Sequence, residues 1–232
     1  MQPSTYGQSE PVPPAQAAPT KKFNGKVVTG LVLVLVALIF AAMAMFSPWW
    51  GLKEKAPGVD ASIDFSLNQY CVSGTFGGVS IPTACQGFGT AYTGFLSLSK
   101  TQSLMGIAYI LILLGLVLAI LTLILIIAGA GKPKLRMGVL ACGLIGGIMM
   151  LVAFIYVYIS LPTAINDDMT GGAATVISGF FGSISVGGME MSWGGGLGWY
   201  MALLGFILLM VGALIATSGM KARPAPVPPP PI

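Results

Sequence analysis

Four stretches of this chain run for about 20 residues or more without an Asp, Glu, Lys or Arg, the length an α-helix needs to cross a bilayer. They cover about 27–47, 104–130, 137–161 and 197–218. Each is apolar on every face and not along one stripe, so a water-facing side is missing. Backbone amides in lipid need internal partners, and a helix supplies them. The pattern predicts an all-α membrane protein, a four-transmembrane-helix bundle over 26–220. Loop 1 (48–103) and loop 2 (162–196) lie on one side of it, and tails of 1–25 and 221–232 on the other.

The loops carry a different period. Val72–Ile81 reads VSGTFGGVSI and Ile177–Val186 reads ISGFFGSISV, both ending in the apolar/small alternation of a half-exposed strand. They predict a small extracytoplasmic β-sheet formed by loops 1 and 2. The two segments lie 105 residues apart, and Leu-Leu-Gly recurs at Leu113–Gly115 and Leu203–Gly205. A parallel repeat of a helix–β-loop–helix unit or chance likeness of Gly/Ser/Phe-rich loops accounts for this equally well.

Charge orients the bundle. Lys21, Lys22, Lys26, Lys132, Lys134, Arg136, Lys221 and Arg223 flank one side, against Lys53, Lys55 and Lys100 on the other. Basic residues stay on the cytoplasmic side, which predicts a multi-pass protein of the cell membrane with both termini cytoplasmic. Trp49, Trp50, Trp193, Trp199 and Tyr200 fall at the outer ends of spans, where they are expected to act as interface anchors. Ala42-Met43-Ala44 resembles a signal-peptidase site, but the apolar run before it is longer than a signal sequence uses, so the first span is read as uncleaved.

The tails are low in bulky apolar residues and are expected to be disordered. The proline-rich end should form polyproline II, and Arg223, Pro226 and Pro229 have the spacing an SH3-type partner accepts, although a solvated spacer is the preferred reading. Cys71 and Cys85 lie in loop 1 on the oxidising side, where a disulfide between them is expected. Cys142 lies among glycines in the third span and reads as a packing residue. Gly143-x-x-x-Gly147 and Ala37-x-x-x-Ala41 have the small-residue spacing of close helix packing, either within one bundle or at a dimer face.

Trp49-Trp50, Gly51-Leu52, Cys71 and Cys85, followed by three more spans, resemble the claudin-like and peripheral-myelin-protein-like four-transmembrane superfamily. That resemblance implies a small extracellular sheet stapled onto the bundle. In this chain Gly-Leu directly follows the tryptophan pair, and Ser-Leu-Asn-Gln-Tyr stands before Cys71 where claudins have Gly-Leu-Trp, so tight-junction sealing and ion selectivity are not carried over.

Composition narrows function by exclusion. The chain has no histidine and 8% charged residues, and it offers no nucleophile with a base, no cofactor motif and no nucleic-acid-binding pattern. A non-enzymatic structural or interaction protein is expected, its partners being the lipid bilayer and either copies of itself or other membrane proteins. A channel or transporter is the alternative, since a pore could use Asp64, Asp167 and Asp168, although no span holds an ionisable group. An accessory subunit of a larger complex is a further one. Asp167-Asp168 is read as a turn leaving the third span, with a partner or cation contact as its functional reading. Gly194-Gly195-Gly196 is read as a flexible lead into the fourth span.

Overall fold

The computed structural model describes residues 24–88, 98–129, 133–170 and 176–220. Nearly all of both tails, with the Arg223–Pro229 spacing, lies outside them. In chain order the described elements are α1 (Gly25–Phe46), β1 (Trp50–Ala56), β2 (Val59–Phe65), β3 (Gln69–Phe76), β4 (Val79–Gly87), α2 (Ser99–Gly129), α3 (Arg136–Thr170), β5 (Gly182–Val186), β6 (Met189–Gly195) and α4 (Leu197–Gly219). All four helices are long and apolar enough to cross a membrane.

Helix α1 packs chiefly on α4, α2 on α3, and α3 bridges to α4. Small residues set these distances. A Cβ on Gly30 of α1 would lie 2.6 Å from two backbone atoms of α4, those of Gly212 and Ala216. Gly205 meets α1 at Ala37 and Ala41, and Gly143 and Gly147 receive Ala213 and Met210 of α4. Both small-residue motifs therefore work inside one bundle. The buried stripe of α1 repeats every three to four residues (Val27, Gly30, Val34, Ala37, Ala41), while Val28, Val32, Leu35 and Ile39 are exposed. Thr29, Thr122 and Thr217 donate to carbonyls of their own helices, which hides their hydroxyls from apolar surroundings.

Two helices are longer than the uncharged runs. α2 starts at Ser99, five residues before the apolar run, and α3 continues through Pro162 to Thr170. The expected loop start at Pro162 is thus a helix interior. Proline removes one i→i−4 bond, and here the ring is buried, so packing outweighs the local preference. At about 52 Å, α3 exceeds the roughly 30 Å of a bilayer core. The overhangs of α2 and α3 lie together at the end of the bundle that holds the strands.

The strands form one antiparallel sheet in the order β4-β3-β2-β1-β6-β5. Loop 1 supplies four strands and loop 2 two, joined where β1 pairs with β6. At the other end of the bundle the Asn24 side chain donates to the Gly219 carbonyl, so the beginning of α1 and the end of α4 lie side by side.

Candidate functional site: a two-faced sheet on the bundle

The sheet is held by a tryptophan junction. Trp49 and Trp50 are fully buried, and Trp193 and Trp199 are nearly so. The Trp49 indole donates to the Ala44 carbonyl at 2.6 Å, Trp50 to Phe180 at 2.8 Å and Trp193 to Gly179 at 2.9 Å. Trp199 stacks on Phe154 with ring centroids 4.1 Å apart and touches Phe180, Phe181 and Tyr200. These tryptophans point inward between bundle and sheet, and only Tyr200 of the expected anchors is exposed. An indole at a helix end has two destinations, the lipid boundary or a second protein layer, and the sheet provides the second.

Glycine makes the junction tight. Gly196 and Gly198 donate to the Trp49 and Pro48 carbonyls. A Cβ on Gly198 would meet the Trp49 ring at 2.7 Å. Gly194 and Gly195 belong to β6 and Gly196 caps α4, so the glycine run is a fitted seam and not a flexible lead. Of the Ile177–Val186 segment, the alternating end Gly182–Val186 is strand β5, and 177–181 before it is non-strand chain that packs into the bundle. Buried Asn166 anchors it, accepting from the backbone of Val176 and Ile177 and donating to the Ile177 carbonyl.

Above the junction the strands rise to three two-residue turns, Pro57-Gly58, Gly77-Gly78 and Gly187-Gly188, all at the end of the sheet away from the bundle. Both glycines of the last two pairs have positive φ, as type I′ turns require. At an offset of 105, turn residue Gly77 falls on Gly182, inside a strand, so the repeated segments occupy different places in the fold.

Register sorts the side chains into two unlike faces. One face has Trp50, Leu52, Glu54 and Ala56 on β1 and Val59, Ala61, Ile63 and Phe65 on β2. Tyr70, Val72, Gly74 and Phe76 continue it on β3, and Val79, Ile81, Ala84 and Gln86 on β4. Met189, Met191 and Trp193 on β6 and Ile184 and Val186 on β5 complete it. The other face has Lys53, Lys55, Asp60, Asp64, Glu190 and a row of serines, with Lys55 placed between Asp60 and Glu190. Glu54 alone carries charge on the apolar face. The β1 and β2 strands were not singled out in the sequence, although Val59-Asp-Ala-Ser-Ile-Asp-Phe65 alternates perfectly after a Pro-Gly turn.

The bundle covers only the near part of the apolar face. Phe65 is 4% exposed, whereas Phe76 is 67%, Val79 70% and Val186 61% exposed. The edges are guarded. β4 carries Pro82 at a bulge opposite Ser73, which removes an N–H from the outer strand, and β5 is five residues long. Cys71 and Cys85 are directly opposite on β3 and β4 and form the disulfide.

Asp167 and Asp168 lie in the last turns of α3 itself and not in a turn that leaves it. The Lys100 ammonium donates to Asp167 at 2.7 Å, and Asp168 accepts the backbone N–H groups of Lys100 and Thr101. Lys100 precedes the apolar run of α2, and its hydrogen bond with Asp167, reinforced by that charge, holds its pKa above the ordinary lysine value. A groove of about 560 Å³ beside this cluster is lined by Ser103, Tyr156, Ile159 and Ser160. No protein-family model matches this sequence, and no curated protein matches it.

Proposed function

We propose that this chain is a non-enzymatic, multi-pass membrane protein that uses its sheet as an extracytoplasmic interaction platform for adhesion, assembly or scaffolding. The observation that carries this reading is the apolar sheet face, covered near the bundle and bare toward the turns. A single sheet with one apolar face calls for a second layer. Apolar surface left bare in a folded chain marks a docking site.

Several features support the membrane part. Each helix keeps its buried residues to one stripe and turns large aliphatic side chains outward, an arrangement that suits lipid. The basic flanks favour a sheet on the outside and both termini in the cytoplasm. A sheet fed by both loops, with a disulfide between neighbouring strands of loop 1, supports a loop module of its own beside the helices. The channel reading is the weaker one, because Asp167 is paired with Lys100 and Asp168 is engaged in capping α2.

Chemical crosslinking in native membranes tests the platform. Wild type is expected to give protein adducts that Phe76→Asp with Val186→Asp abolishes while the chain stays membrane-inserted. Equal adducts from both would reject it. Sidedness is tested on Lys134, which a membrane-impermeant amine reagent should fail to label on intact cells.

A further inference from the structure

We infer that the groove between the outer ends of α2 and α3 holds the headgroup of a phospholipid that carries a primary ammonium beside its phosphate. The inference rests on the membrane reading and adds to it a lipid of stated chemistry.

The groove lies at the level where the hydrocarbon ends. A core of roughly 30 Å takes about 20 residues of helix, so a core that starts after Arg136 of α3 ends near Tyr156. The groove runs from Tyr156 and Ile159 up to Asp167, facing Leu104, Ser103 and Lys100 of α2. From Tyr156 to Asp167 the helix rises about 16 Å. The volume of about 560 Å³ falls among ligand pockets of roughly 300–1,000 Å³.

The lining changes along this length in the order that an amphiphile does. Below the groove the outward positions are aliphatic, Ile107 and Ile110 on α2 and Val152 and Ile155 on α3. Within it come hydroxyls, Ser103 on one wall and Ser160 and Thr163 on the other. Ser103 donates back to the Ser99 carbonyl. Among the described residues Ser160 and Thr163 find no hydrogen-bond partner, unlike Thr29, Thr122 and Thr217, which bond their own helices. Hydroxyls left open at this level suit a polar group in the groove. At the top stands the Lys100–Asp167 pair.

Charge selects the headgroup. The Lys100 ammonium gives Asp167 one of its three N–H groups, which leaves donors for a phosphate. Asp167 accepts through Oδ2, which leaves Oδ1 for an ammonium. Asp168 does not compete, because it accepts the backbone N–H groups of Lys100 and Thr101. A cation and a carboxylate side by side match a phosphate and an ammonium joined by two carbons. A headgroup with phosphate alone would set its charge against Asp167. A soluble zwitterion would leave Leu104, Tyr156 and Ile159 uncovered.

The experiment offers the full chain, purified in detergent, equal amounts of phosphatidylethanolamine and phosphatidylglycerol with matched acyl chains, and reads bound lipid by native mass spectrometry. Phosphatidylethanolamine should be retained about tenfold over phosphatidylglycerol, the worth of one hydrogen bond to a charged group. Asp167→Asn, which leaves Asp168 on α2, should remove the preference. Ser160→Leu with Thr163→Leu fills the groove and should remove retention, with helix content by circular dichroism equal to wild type. Excess glycerophosphoethanolamine, the same headgroup without acyl chains, should displace nothing. Equal retention of the two lipids, a preference that survives Asp167→Asn, retention that survives the leucine pair, or displacement by the chain-free headgroup would each overturn the inference. Flotation with vesicles separates it from the reading beneath it. A chain that floats without the preference loses the groove alone, and one that stays in solution loses the membrane reading as well.

Discussion

Asp168, near the end of α3, accepts the backbone N–H of Thr101 at 2.8 Å, so the end of one helix caps the beginning of another. Helix α2 has no acidic residue in its own first turn, and its N–H groups need an acceptor. Asp168→Ala should therefore destabilise the chain by about 1 kcal/mol, the worth of an N-cap carboxylate. Lys100→Met should matter less, because the Lys100–Asp167 pair is solvent-exposed. Thermal unfolding in detergent, followed by circular dichroism, ranks the two.

The same relationship shows where sequence reading runs out. The four apolar helices were legible because a long run without charge, apolar on every face, marks a helix long enough to span a bilayer. Where α2 and α3 extend beyond those cores was not, since it depends on Asp168 reaching another helix 67 residues away. The sheet was visible as alternation in Val72–Ile81, and equally in the overlooked Val59–Phe65. The inward turn of Trp49 and Trp50 was hidden, because an indole beside lipid and one beneath a sheet look alike in one dimension. Asn166 was hidden too, as its three hydrogen bonds go to a loop whose path no local signal gives.

Close packing of α1 on α4 predicts a strong asymmetry between glycines. Gly30→Val places side-chain atoms against the backbone of Gly212 and Ala216, which cannot swing aside, and should destabilise by about 1–3 kcal/mol. Gly106 of α2 faces open space, and Gly106→Ala should be neutral or stabilise by up to about 1 kcal/mol. Equal melting temperatures for the two variants would contradict the α1–α4 contact.

The disulfide acts locally. It links strands at the far side of the sheet, 14 residues apart in sequence, and constrains the unfolded loop by about 3 kcal/mol. Cys71→Ser with Cys85→Ser should raise protease cleavage within β3 and β4 and leave helix content unchanged. Uniform loss of helix signal would show that the sheet and bundle unfold as one.

Trp50 gives the sharpest test of how the sheet is mounted. Its indole donates to the Phe180 carbonyl across 130 residues of sequence, linking the first strand of loop 1 to the loop 2 segment that Asn166 fixes to α3. Its ring also lies 5.6 Å from that of Phe65. Trp50→Phe keeps an aromatic ring but leaves a buried carbonyl without its donor, a loss of about 1–3 kcal/mol. Because the bond joins sheet to bundle, the loss should appear as faster amide exchange in β1 and β6, with exchange in α1 and α4 unchanged. Trp193→Phe removes an equivalent bond to Gly179 and should loosen the same seam. Protection in β1 and β6 that survives both substitutions would mean that the Gly196 and Gly198 contacts hold the junction alone.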